Sequence, residues 1–67
     1  MTNNSDATEF VRDGNGQLIG QIQGKWAKAK NGRMLGYFNE SINATITMDG
    51  KRFGVGDQRK ALIYANK

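Results

Sequence analysis

Along most of this chain apolar and polar residues alternate with a period of two, over short runs separated by polar, glycine-containing stretches. Trp26-Ala27-Lys28-Ala29 and Ala44-Thr45-Ile46-Thr47 show the pattern, and Phe10-Val11, Leu18 to Ile22, Met34 to Phe38 and Phe53 to Val55 fit the same short segments. β-branched and aromatic residues are frequent in them, as suits a pleated surface. No stretch keeps a spacing of three and four over three turns, and Gly recurs from position 14 to position 56. The pattern therefore predicts strands.

The strands belong to a repeat. Asn15-Gly16-Gln17-Leu18-Ile19-Gly20, Asn31-Gly32-Arg33-Met34-Leu35-Gly36 and Asp49-Gly50-Lys51-Arg52-Phe53-Gly54 share the form [ND]-G-[QRK]-x-[ILF]-G. Upstream of them Phe10-Val11, Trp26 to Ala29 and Ala44 to Thr47 also correspond, and Ala61 to Lys67 follows as an unfinished fourth unit. Asn-Gly or Asp-Gly between β-rich runs predicts a hairpin with a two-residue type I′ turn, both central residues at positive φ. Alternation in each outgoing strand puts Ile19 and Gln21, Leu35 and Tyr37, and Phe53 and Val55 on one face. Gly20, Gly36 and Gly54 fall on the other, where a recurrent mid-strand glycine marks a bend, a bulge or a close approach. At the C-terminus, a closing strand at Ala61–Ala65 is preferred to a short helix over 57–65 with Asp57 as N-cap.

The expected architecture is all-β: three repeated β-hairpins plus a closing C-terminal strand, with approximate internal symmetry, forming a small barrel or flower. Residues 10–67 form the single domain and residues 1–9 a polar N-terminal leader. The run Asp13 to Ile22 and the run Asn31 to Phe38 resemble the hairpin motif of small bacterial β-flower domains, in which such hairpins are petals around an axis. The third unit departs from that motif, with Arg52 and Gly56 where apolar residues stand in the others. The resemblance implies a fold and a bacterial or phage source, and carries no catalytic residue.

Composition narrows the chemistry. The chain has no Cys, His or Pro, and so no disulfide scaffold, thiolate metal site or imidazole base. Asp13 and Asp49 stand at turn positions, where carboxylates cap backbone amides. The glycines of 14–20 lack the helix and lysine of a phosphate loop, and Gly24 stands where a calcium loop needs its last carboxylate. Neither an enzyme, a metal nor a cofactor is expected. The leader has no apolar core like that of a signal peptide, and no run is long enough to span a membrane, so the sequence reads as cytoplasmic.

Ten Lys and Arg oppose six Asp and Glu, and residues 24–38 hold four bases and no acid. Lys25, Trp26, Lys28, Lys30, Arg33 and Tyr37 form one candidate binding group, with Trp26, Lys28 and Lys30 on one strand face. Lys51, Arg52, Arg59 and Lys60 form a second, continuous with the first if the hairpins bring them together. Trp26 has two readings, a core residue or an exposed anchor. The function expected is a non-catalytic protein-binding or self-assembling module, an accessory or inhibitory protein, with homo-oligomers completing the fourth unit. The alternative is a nucleic-acid-binding module on a basic β-surface. Gly24-Lys25-Trp26 and Lys51 to Val55 are similar in type, though not in separation, to the binding residues of cold-shock barrels.

Overall fold

A computed structural model describes residues 8–67. Six strands follow one another, β1 (Thr8–Arg12), β2 (Leu18–Gln23), β3 (Trp26–Ala29), β4 (Met34–Asn39), β5 (Ala44–Thr47) and β6 (Arg52–Val55), and a helix, α1 (Arg59–Ala65), ends the chain. Each strand pairs antiparallel with the next, in the order β1 to β6. The sheet is open, with β1 and β6 as edges, rather than closed into a barrel. Thr8 and Glu9, read as the end of the leader, belong to β1, and the rest of the leader lies outside the described residues.

The repeated hexapeptides stand at equivalent turns, between β1 and β2, β3 and β4, and β5 and β6. Gly16, Gly32 and Gly50 have φ of 80°, 90° and 88°, while the Asn or Asp before each does not have positive φ. Their amides donate to the carbonyls of Asp13, Ala29 and Thr47 at 3.0, 2.9 and 2.9 Å. The amides of those same three residues donate to Gln17, Arg33 and Lys51 one position further on. The expected two-residue type I′ turn is thus corrected to a three-residue loop, a type I turn closed by a left-handed glycine. In that geometry only the glycine must reach positive φ, and polar side chains support it: Asp13 Oδ1 accepts the amides of Asn15 and Gln17.

A bulge recurs as well. The pairs Val11–Gly20 and Arg12–Leu18 leave Ile19 as an extra residue on β2, and Leu35 on β4 and Phe53 on β6 stand in the same position. A bulge breaks strict alternation. Ile19 and Leu35 consequently join the core on the side of Gly20 and Gly36, instead of the opposite side that period-two counting assigns them.

The C-terminal segment is a helix, not a closing strand. Leu62 and Ile63 are adjacent in sequence and both buried, an arrangement a helix can aim at one layer while a strand sends neighbours to opposite faces. Seven residues do not hold a helix in water unaided. Packing does: Leu62 and Ile63 enter a core with Val11, Ile19, Ile22, Ala27 and Leu35. The N-cap position falls at Gln58 without a side-chain cap, and the expected cap Asp57 accepts instead from the Arg59 amide. Thr45, fully buried, secures the approach to the helix by donating to the Gly56 carbonyl at 2.9 Å and accepting the Gln58 amide at 2.7 Å.

Candidate functional site

With α1 on one side, the sheet has two unlike faces. Ala27 and Ala29 point to the helix and core, so their strand neighbours Trp26 and Lys28 point away from it. Following the paired residues, Gln23, Trp26, Tyr37, Ile46 and Arg52 make one row across the bare face, the one that no described element covers, and Gln21, Lys28 and Met34 lie in the next; within the row Ile46 is buried. Phe10, paired with Gln21, and Val55, paired with Ala44, belong to it too and are 59% and 66% exposed. Among the described residues no acid occupies a strand position on this face: Glu9 pairs with Ile22 on the other side, and the remaining acids lie in turns and loops.

Trp26 and Tyr37 are a directly opposed cross-strand pair. Their ring centres are 5.2 Å apart with planes at 60°, the edge-to-face arrangement that the aromatic quadrupole favours. Both are half-buried. Lys25 sits in the two-residue turn joining β2 to β3, where Gly24 takes φ of 58°, and its Nζ lies 5.1 Å from the centre of each ring. That distance is within the range of cation–π attraction. Lys28 Nζ donates to Gln23 Oε1 at 2.7 Å and is held next to Trp26. Trp26 is thus neither a member of the apolar core nor an isolated anchor, but half of an aromatic pair framed by cations.

The remaining candidate residues do not all join it. Arg52 ends the row that begins beside Trp26 and also lines the groove that reaches Leu62 and Asn66. Lys30, Arg33 and Lys51 stand at the turn end, where two open grooves of about 410 Å³ and 520 Å³ flank the C-terminal end of α1. Arg59 and Lys60 lie with the helix on the opposite side. Arg59 holds Asp57 through Nε at 2.7 Å and Nη2 at 2.5 Å, donates to the Gly24 carbonyl at 2.5 Å and covers the Phe38 ring. Lys60 pairs with Glu9 at 2.9 Å. The second basic group therefore divides three ways, and Arg59 and Lys60 serve ion pairs of the fold.

Titration follows the same division. Hydrogen bonds from Arg59 hold the Asp57 carboxyl below its usual range, and the Gln17 amide does so for Asp13. The Thr47 hydroxyl has that effect on Asp49. Asp57 in turn raises Arg59, and Glu9 raises Lys60. These shifts belong to turns and ion pairs away from the bare face. Among the described residues no group of three or more Asp or Glu is placed to hold a metal ion, and no helix is long and apolar enough to cross a membrane.

Phe10, Met34 and Val55 are members of this face that composition alone does not single out. Their signal is register: each falls on the Trp26 side once the bulges are counted. No protein-family model matches the chain, and no curated protein or solved structure matches it either.

Proposed function

We propose that this chain is a non-catalytic binding module whose working surface is the bare face of its sheet, and that the three turn-centred strand pairs are hairpin units of a β-flower-like repeat. The observation that carries the binding reading is the Trp26–Tyr37 pair, half-exposed under Lys25 on a face where, among the described residues, no acid holds a strand position. A core tryptophan on this chain would stand with Leu62 and Ile63. Placed away from them, the largest side chain supplies recognition area at little cost in ordering.

Replacement of Trp26 by alanine tests this. If Trp26 belongs to a binding surface, Trp26→Ala stays folded and loses about 1–2 kcal/mol, the worth of one aromatic pair and its partly buried area. A core tryptophan loses about 3–5 kcal/mol, enough to unfold a chain this small.

A second reading, pairing with another protein strand or a second copy, is favoured by β6. Among the described residues this edge strand has no neighbour on its outer side, and its Val55 is highly exposed. The other edge is less available, because Tyr64 Oη donates to the Arg12 carbonyl of β1 at 2.7 Å.

A further inference from the structure

The bare face has a direction as well as a charge. Its central row runs at right angles to the strands, from the aromatic pair to the Arg52 position, across three strand spacings of about 4.8 Å each. Lys25 Nζ faces both rings, and Lys28 is fixed beside Trp26 by Gln23. The row therefore combines flat π surfaces with cations at its turn, at its flank and at its far end.

A second copy would set these cations against their own equivalents, so charge opposes self-pairing on this face. An acidic protein would satisfy the cations without using two adjacent ring surfaces. A duplex would satisfy them too, but its bases are stacked and paired. A ligand in which negative charge and exposed flat rings alternate matches both properties of the row. Resting on the reading of the bare face as the binding surface, we infer that its occupant is single-stranded nucleic acid. Unpaired bases stack on Trp26 and Tyr37 as the Lys25 side chain leaves the ring faces, and Lys25, Lys28 and Arg52 neutralise phosphates.

The test is a titration of the protein with a deoxythymidine oligomer of about 12 nucleotides, read by Trp26 fluorescence, beside a duplex of the same length. The single strand quenches the fluorescence and binds more tightly than the duplex. Three neutralised phosphates give a slope of about −2 in log affinity against log salt, so raising salt from about 50 to about 200 mM weakens binding about sixteenfold. Tyr37→Ala, with Trp26 kept as reporter, weakens binding at least about fivefold. Lys25→Glu with Arg52→Glu keeps both rings and Lys28, removes most of the affinity and cuts the salt slope from about −2 to about −0.7 or less in magnitude.

No quenching at about 50 mM salt with strand up to about 10⁻⁴ M overturns the inference. Equal affinity for the duplex, or binding indifferent to Tyr37→Ala, overturns it as well and leaves a surface for any polyanion. Failure here is distinguishable from failure of the broader reading: if Trp26→Ala unfolds the chain, the bare face itself is misassigned. If that variant folds and the strand does not bind, only the nucleic-acid partner falls.

Discussion

The Cβ that Gly20 lacks would stand 2.6 Å from Cγ2 of Ile63 and 2.5 Å from the Lys28 carbonyl oxygen. Gly36 is its repeat equivalent, with Leu62 Cδ2 at 2.7 Å and the Ile46 carbonyl closer still. The two glycines are where the helix seats, one for each of its two buried side chains. Neither can gain a methyl group, since one obstacle at each is backbone. Gly20→Ala and Gly36→Ala each cost about 1–3 kcal/mol or more, and thermal unfolding measures it. Gly54 is different: its Cβ would meet only the flexible Gln58 side chain, at 3.1 Å. Gly54→Ala is expected to be the mildest of the three, and equal losses at all three positions would refute the seating role.

The turn glycines make a second contrast. Gly32 holds φ of 90°, so Gly32→Ala forces an alanine into the left-handed region at a cost of about 1–2 kcal/mol. Gly14 has no positive φ, and a Cβ there meets nothing within 4 Å. Gly14→Ala should be neutral or stabilise by up to about 1 kcal/mol, by restricting the unfolded chain. Denaturant midpoints of the two variants, moving in these directions, would establish which loop glycines the type I turn requires.

The helix depends on the sheet and the sheet on the helix. Ile63 is fully buried, and Ile63→Ala is expected to cost about 2–5 kcal/mol. A chain of this size has about 3–10 kcal/mol in total. Loss of cooperative unfolding in circular dichroism is the expected result. Tyr64→Phe removes only the bond to Arg12 and should cost about 1 kcal/mol.

Acid should weaken the fold. Asp13, Asp49 and Asp57 have folded-state values lowered from 3.8. A lowered carboxyl contributes stability that is complete above its unfolded value and is lost as pH falls through the folded one. Thermal midpoints are therefore flat between about pH 5 and about pH 9 and fall below about pH 4. Asp13→Asn should remove part of that slope, because an amide oxygen still accepts from the Asn15 and Gln17 amides but does not titrate.

The strands and the three glycine turns were legible from local rules, because alternation and Asn-Gly or Asp-Gly pairs act over a few residues. Period-two counting puts Ile19 and Leu35 on the wrong face because one extra residue in a bulge inverts the parity. The bulge can be seen only when Gly20 and Leu18 are matched to Val11 and Arg12 across the sheet. The helix is not legible locally for a related reason: Arg59 to Ala65 has mixed propensity, and what decides it is the space above Gly20 and Gly36, a tertiary fact. Lys25, Trp26, Lys28 and Tyr37 were found together because they are close in sequence and sheet register keeps them close. Arg59 and Lys60 were grouped with them on charge alone, and their acid partners, Glu9 above all, lie across the fold.

Trp26 is the chain's single tryptophan, so its fluorescence reports the bare face without interference. Quenching by iodide and by caesium, compared at equal ionic strength, tests whether that face is open and positively charged. Lys25 and Lys28 next to the ring should concentrate the anion and repel the cation, so iodide quenches clearly more than caesium, and Lys25→Glu with Lys28→Glu narrows or reverses the difference. A tryptophan inaccessible to both ions, or quenched equally by them, would contradict the account.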